Sequence, residues 1–92
     1  MSVTRVGQRI VFADGTKYEN TSAGYSDGVL VVFMNTAITL HEAPEIFFNP
    51  NKTSRIVFEY GDMEDTYDGF THVTNMREDV DKNVSVTLRK DI

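Results

Sequence analysis

Apolar and polar residues alternate with a period of two along most of this chain, which is typical of short, half-buried β-strands. Residues 10–12 (Ile-Val-Phe) and 17–19 (Lys-Tyr-Glu) flank an Asp-Gly pair, and this pattern predicts a hairpin. A two-residue loop would place Val11 opposite Tyr18, whereas a three-residue loop would place Phe12 opposite Tyr18. We favour the three-residue loop because it collects the apolar side chains on one face.

A second hairpin is predicted around Asp27-Gly28, where a two-residue loop sets Tyr25 opposite Leu30. The following run, residues 29–34, is apolar at every position. A strand of this kind is either a central strand covered on both sides or one that crosses the core.

One short helix is expected near residues 42–48, between the third and fourth strands. Thr39 and Glu42 have the spacing of a capping box. Pro44 favours a later start, with the proline in the first turn. Asn49-Pro50 then ends the helix.

The second half of the chain is again strand-like. Residues 54–60 form a strand, and residues 65–76 form its antiparallel partner, with Gly69 as a bulge. Residues 78–83 make a polar turn before the strand at 84–88, in which Val and Leu alternate with polar residues.

The chain contains a weak internal repeat. Ile-Val-Phe-x-x-Gly occurs at 10–15 and at 56–61, and each copy is followed by a tyrosine and an acid, Tyr18-Glu19 and Tyr67-Asp68. The order of predicted elements is the same on both sides, three strands on either side of one helix. The pattern is compatible with a duplication.

Together these elements predict a mainly β fold (β-rich α+β) formed by a single domain, residues 1–92. About six short antiparallel strands form a curled sheet or a partly closed barrel, and the helix covers an open face or end. A chain of 92 residues has room for one modest core.

Composition narrows the chemistry. The chain has no cysteine, which excludes disulfides, thiolate zinc sites, iron–sulfur clusters and a cysteine nucleophile. The first twelve residues contain no long apolar run, so we expect neither a signal peptide nor a membrane anchor. We therefore expect synthesis in the reducing cytoplasm of the cell that makes the protein. No cofactor motif is present, and no cofactor is expected.

The formal net charge is −5, and the nine basic residues are scattered. Because binding to nucleic acid depends on Lys and Arg contacts to phosphates, direct binding to DNA or RNA is not expected. The acidic balance favours solubility or a basic protein partner.

Residues 59–70, EYGDMEDTYDGF, hold five carboxylates, two tyrosines and no basic residue. The spacing does not match the regular calcium loop, because Met63 interrupts it. The stretch is therefore either the solvated tip of a hairpin or an acidic interaction surface, in which aromatics anchor a partner and acids orient it. The candidate surface residues are Glu59, Tyr60, Asp62, Glu64, Asp65, Tyr67, Asp68 and Phe70.

Other candidate sites are weaker. His41 and His72 are the two histidines of the chain, and neither has a nucleophile motif beside it. Five aromatic residues could line a ligand pocket, but at this chain length they are more typical of a core. They are Tyr18, Phe33, Phe47, Phe48 and Phe58.

About the last half of the chain contains three sequence motifs. They are Glu45-Ile-Phe-Phe-Asn-Pro-x-Lys52-Thr-Ser-x-Ile56, Tyr60-Gly-x-Met63-x-Asp65-x-Tyr67-x-Gly69-Phe-Thr and Val84-Ser-Val-x-Leu-Arg-Lys90. With these motifs, the sequence resembles those of small uncharacterised proteins encoded by phages and prophages of Gram-positive gut bacteria, often among tail and late genes. The resemblance implies a phage origin and a non-enzymatic role, and it supplies no catalytic residues.

Two functions therefore remain. The first is a phage accessory protein of the virion or tail, which binds another protein or a second copy of itself. The second is a small acidic inhibitor that places carboxylates where a host defence or nucleic-acid enzyme binds phosphates. The first would locate the protein in the virion, and neither function requires a membrane.

Overall fold

The computed structural model describes residues 8–90, and its fold is mainly β, as predicted. Two antiparallel four-stranded sheets pack face to face around one hydrophobic core, without forming a closed barrel. The prediction of about six strands and one helix is too low, because the described residues form eight strands and two helices. Residues 1–7, which belong to the segment expected to lack a signal peptide or anchor, lie outside the described part.

Each sheet combines strands from both halves of the chain. The elements are β1 (Arg9–Phe12), β2 (Lys17–Tyr18), β3 (Ser22–Ser26), β4 (Val29–Asn35), α1 (Ala43–Phe47), α2 (Pro50–Thr53), β5 (Arg55–Tyr60), β6 (Met63–Asp68), β7 (His72–Glu78) and β8 (Val84–Arg89). The first sheet has the order β2-β1-β5-β6, and the second has the order β3-β4-β8-β7. Among residues 8–90, no helix has the length and apolar character needed to cross a bilayer.

The inner faces of the two sheets supply most of the core. The alternation predicted for β8 is confirmed, since Val84, Val86 and Leu88 are all buried. Burial of this apolar area is the main force that holds the sheets together. The other buried apolar residues are Ile10, Phe12, Leu30, Val32, Met34, Ile38, Ala43, Ile46, Phe47, Ile56, Phe58 and Phe70.

The register of the first hairpin differs from both predicted registers. Tyr18 lies opposite Ile10, because the loop is Ala13-Asp14-Gly15 rather than Asp-Gly or Asp-Gly-Thr. The Asp14 carboxylate accepts a hydrogen bond of 3.0 Å from the Thr16 N–H, and Gly15 takes a positive φ of 90°. This is the three-residue loop with glycine in the left-handed position. The shift from the favoured register is two residues, so the same side chains still face the core.

The second hairpin has the predicted register, with Tyr25 opposite Leu30. Asp27 and Gly28 both have positive φ, as a tight two-residue loop requires. The prediction for 29–34 is only half correct. β4 is central in its sheet, but its outer face is not covered by any described element, and Phe33 is 40% exposed there.

The predicted long strand 65–76 is wrong. β6 ends at Asp68 and belongs to the first sheet, whereas β7 begins at His72 and belongs to the second. Gly69 is the crossover between the sheets rather than a bulge: it has a φ of 80°, and its N–H donates to the Ser54 carbonyl at 2.9 Å. The positive φ turns the chain out of the first sheet.

The capping box forms, but one turn before the helix. The Glu42 N–H donates to the Thr39 hydroxyl at 3.2 Å, and the Thr39 N–H donates to the Glu42 carboxylate at 3.0 Å. The predicted helix ends where expected, since α1 stops at Phe47 with Phe48 as its C-cap, just before Asn49-Pro50. The second helix, α2, was not predicted. The Asn49 side chain caps α2 by accepting from the Asn51 N–H at 3.1 Å, and Pro50 occupies the first turn.

The two halves of the chain are related by an approximate two-fold axis. Each half gives one inner and one outer strand to each sheet, in the same order. The Ile-Val-Phe copies pair with each other, so that Val11 lies opposite Val57. Each Phe copy also meets a tyrosine edge-on at 6.1 Å between ring centroids, Phe12 with Tyr18 and Phe58 with Tyr67.

Equivalent crossovers support the same relation. Asn20 stands two residues after Tyr18, and Gly69 stands two residues after Tyr67. Both have positive φ, 57° and 80° respectively. A repeated backbone feature at matching places, in addition to the repeated tripeptide, shows that the weak sequence repeat corresponds to a repeated structural unit.

The loop of the first hairpin is anchored to α2. The Lys52 ammonium contacts the Asp14 carboxylate and donates to the Thr16 hydroxyl at 3.0 Å, and the Lys52 carbonyl accepts from the Ala13 N–H at 2.9 Å. The hydrogen bond from Lys52, followed by the one from the Thr16 N–H, lowers the pKa of Asp14 from 3.8 to about 2.

Replacing Lys52 should therefore return the pKa of Asp14 towards 3.8. Because the folded-state pKa is depressed, the ion pair adds stability above the unfolded pKa and loses it as the pH falls towards about 2. The stability difference between wild type and Lys52→Met should accordingly shrink over that interval. NMR titration of the Asp14 carboxyl measures the shift directly. Lys17→Met, which removes a cation on β2, should leave it unchanged, and an unaltered Asp14 pKa in Lys52→Met would contradict the assignment.

Candidate functional site

The acidic stretch of the sequence forms the β5–β6 hairpin, in which Tyr60 lies opposite Met63. The loop is Gly61-Asp62, and Gly61 has a φ of 58°. A two-residue loop with glycine at its first position matches the twist of the flanking strands. The stretch is therefore a hairpin whose loop projects beyond the paired strands.

Alternation divides the predicted surface residues between two faces. Glu59 and Glu64 lie directly opposite each other, and together with Asp68 they share the outer face of the first sheet. Tyr60, Asp65 and Tyr67 are on the inner side. Of the four predicted carboxylates that lie on β5 and β6, three therefore share the outer face, and Asp65 is directed inward.

The outer carboxylates are partly neutralised by arginines from distant positions. Arg55 donates from Nε to Asp68 at 3.0 Å. Arg9 has Nε at 2.9 Å from a Glu19 oxygen and Nη1 at 3.6 Å from a Glu59 oxygen. The Arg9 Nε–H is not aligned for a hydrogen bond with any described residue, so its contact with Glu19 is purely ionic. The face therefore has mixed charge, although the segment itself contains no basic residue.

The inner side chains support the fold. The Tyr60 hydroxyl donates to the Asp65 carboxylate at 3.0 Å. Tyr67 packs on the core and meets Phe58 edge-on. Tyr25 of β3 lies over Tyr67, with ring centroids 5.6 Å apart, so the aromatic residues join an edge of each sheet.

Phe70 cannot contribute to a surface in this structure. It is 2% exposed, lies next to Tyr67 and Tyr25, and has the Lys90 ammonium 5.7 Å from its ring centroid. The prediction that Phe70 belongs to the interaction surface is wrong, because the sheet crossover at Gly69 turns its side chain into the core.

At the tip of the hairpin, the consecutive residues Asp62, Met63 and Glu64 are all exposed. Met63 is 62% exposed, which is unusual for a large apolar side chain. Neither Asp62 nor Glu64 forms an ion pair with any residue between 8 and 90, in contrast to Glu59 and Asp68. The tip borders an open cleft of about 360 Å³, whose walls are Arg9, Glu59, Gly61, Asp62, Met63 and Glu64.

A metal site is not assembled from the residues that the structure describes, since no group of three or more His, Asp or Glu side chains is suitably placed. His41 lies in the turn before α1, and His72 begins β7 opposite Arg89. Of the five aromatic residues considered for a ligand pocket, Phe47 and Phe58 are core residues, whereas Phe33 and Phe48 are exposed.

Sequence reasoning missed three contributors to the site. Arg9 is far from the acidic stretch in sequence, whereas Arg55 lies at the start of β5, just before the stretch, and both contacts follow from strand pairing. Met63 was treated as an interruption of a calcium loop, although an apolar residue beside a tight turn signal can instead be a contact residue.

Searches of protein-family models, of curated proteins and of solved structures find no match for this chain. Its chemistry must therefore be argued from the geometry. An exposed methionine between two unpaired carboxylates is suited to contact with another protein that offers an apolar recess and a positive charge.

Proposed function

We propose that this chain is a non-enzymatic interaction module, a phage-derived accessory protein that acts in the virion or tail by binding another protein. The observation that carries the proposal is the tip of the β5–β6 hairpin, where Met63 is exposed and flanked by Asp62 and Glu64. Apolar side chains within a charged rim are the usual composition of a contact surface.

The contrast between the two equivalent hairpins strengthens this proposal. The loop of the β1–β2 hairpin is held against α2 by Lys52 through three contacts. The β5–β6 loop has no comparable anchor to any described residue, and its strands extend over six residues each. Within residues 8–90, the fold thus fastens the loop of one hairpin to a helix and gives the other loop no such contact, which suits a contact role for the second.

The alternative role, as a phosphate-mimicking inhibitor, has less support. It relies on a continuous array of carboxylates at Asp62, Glu64, Asp65 and Asp68. Asp68 is paired with Arg55, and Asp65 accepts a hydrogen bond from Tyr60 on the inner side. Only the two tip acids remain available to replace phosphates.

The proposal predicts that partner capture depends on the tip. The tagged wild-type protein, produced in cells in which the phage is induced, should co-purify with a virion protein, and the triple variant Asp62→Asn, Met63→Ala, Glu64→Gln should lose at least about 90% of that signal. Quantitative mass spectrometry of the captured material and of purified particles measures both.

A matched control removes the same charge elsewhere. Glu45→Gln with Asp81→Asn also neutralises two exposed carboxylates, and capture should be retained. Equal capture by the triple variant and the wild type would refute the role of the tip. Absence of the protein and of any virion partner in both samples would refute the virion assignment.

A further inference from the structure

A second exposed feature lies on the outer face of the second sheet. Val29, Val31 and Phe33 of β4 all direct their side chains outward, and Phe33 is 40% exposed. A Cβ built on Gly24 of β3 would lie 4.0 Å from the Phe33 ring, so the absence of a side chain there leaves room beside the ring. The result is an apolar ridge along the middle of an open sheet face.

Positive charge lies along one side of this ridge. Arg89 of β8 lies opposite Val29, and Ser85, which lies opposite Phe33, has Arg77 of β7 on its far side. Neither arginine forms an ion pair within residues 8–90, although the charge of Arg77 contributes to lowering the pKa of Asp79 in the neighbouring turn. The outward strand positions of this face carry no carboxylate.

This face is complementary to the hairpin tip in both respects. The tip offers an exposed methionine and two carboxylates, and the face offers an apolar ridge and two arginines; none of these four charged groups forms an ion pair within residues 8–90. The tip belongs to the first sheet, whereas the face is the outer side of the second, so the two cannot meet within one molecule. We infer that the tip of one copy docks on the outer face of the second sheet of another copy.

The inference deepens the proposed function, on which it rests, by naming a second copy of this chain as a partner. Because two different surfaces meet, the contact is heterologous. Repetition of such a contact generates a ring when the rotation closes and an open filament when it does not. Either product is multivalent, so a weak individual contact becomes effective when many copies are gathered.

Charge-reversed variants test the contact. Arg77→Glu with Arg89→Glu gives a face variant, and Asp62→Lys with Glu64→Lys gives a tip variant. In sedimentation velocity at low salt, over about 0.01–1 mM protein, the wild type should self-associate reversibly. Each variant alone should associate at least about tenfold more weakly, because like charges then meet. Association of the wild type should also weaken in about 1 M salt, where charges are screened beyond about 3 Å.

Mixing the variants distinguishes this contact from others. An equimolar mixture of face and tip variants should recover association, because each intact surface finds its intact partner and the two reversed surfaces also attract. A control variant reverses the same number of exposed carboxylates away from the tip. This variant, Glu45→Lys with Asp81→Lys, should behave as the wild type. Thermal unfolding should show all variants folded, since substitutions of exposed side chains of this kind change stability little.

Three outcomes would overturn the inference: a wild type that remains monomeric at every concentration in low salt, single variants that associate as the wild type does, or a mixture that fails to recover. If the wild type is monomeric but tip-dependent capture of a virion protein persists, the proposed function stands and only the contact between copies is lost. An acidic protein that binds the face without self-association would count against the inference in the same way.

Discussion

Phe47→Ala should lower the free energy of unfolding by about 3–5 kcal/mol, whereas the same change at the next residue, Phe48→Ala, should alter it by about 0.5 kcal/mol or less. Phe47 is 0% exposed and meets Phe12 edge-on at 5.6 Å between centroids, so its removal leaves a cavity between α1 and the first sheet. Phe48 is 63% exposed. Urea unfolding followed by circular dichroism measures both variants.

The adjacent pair is a strict control, because the chemical change is the same and Phe48, the C-cap of α1, directly follows Phe47 in the chain. Small domains have a total stability of about 5–15 kcal/mol, so Phe47→Ala should bring this protein close to its unfolding threshold. Similar losses for the two variants would show that α1 does not pack through the Phe47 face. A larger loss for Phe48→Ala would reverse the assignment of the buried side.

Gly69→Val should cost about 2–3 kcal/mol of unfolding free energy. The φ of 80° at Gly69 is strained for any residue with a Cβ and most strained for a β-branched one. A Cβ at this position would meet no atom within 4 Å, so the expected cost comes from the backbone and not from a clash.

Two companion variants isolate that cause. Gly69→Asn should cost about 1 kcal/mol or less, because asparagine tolerates the left-handed region and already occupies it at the equivalent position, Asn20. Gly24→Val makes the same change in a strand without positive φ, and it should be neutral or slightly stabilising. Equal losses for Gly69→Val and Gly69→Asn would mean that the crossover needs glycine for some other reason.

Local chemistry explains which parts of the fold were predictable. The β8 strand and the Asp27-Gly28 hairpin were predicted in the correct register, because alternation and a tight turn both act within a few residues. The register of the first hairpin was misplaced by two residues because the Asp14 side chain forms its own turn with Thr16, and the three-residue loop begins one position earlier, at Ala13. The face assignment survived, since an even shift preserves it.

Two of the errors, the long strand 65–76 and the surface position of Phe70, concern where the chain changes sheet. Nothing in the residues around Gly69 distinguishes a bulge from a crossover, because both require the same backbone freedom. The choice depends on the partner that the next strand finds, and β7 finds β8 rather than β5. That error in turn placed Phe70 on the surface.

The candidate surface was predictable as a location but not as a set of charges. The sequence indicated an acidic hairpin at 59–68. It could not show that Arg9 and Arg55 would pair with its outer carboxylates, since these contacts follow from strand order. The period of two places Phe33 on the face opposite to Leu30 and Val32, but neither interpretation of the run 29–34, a strand covered on both sides or one that crosses the core, includes an exposed apolar face.

The pairing of strands from the two halves, around the approximate two-fold axis, has a consequence for how the molecule folds. Val11 and Val57, which meet across this axis, are 46 positions apart, whereas Ser26 and Val29 meet after only a two-residue loop. The chain entropy lost in closing a loop grows with its length, by about 0.6 kcal/mol for each doubling. We therefore expect the hairpins to form early, because closing them costs little chain entropy. We expect the pairing of β1 with β5 and of β4 with β8 to be the slow, rate-determining step. Residues 36–54 connect the two halves of the chain and contain α1 and α2. We therefore expect the folding rate to depend mainly on how readily these two helices form and shorten the connection between the halves.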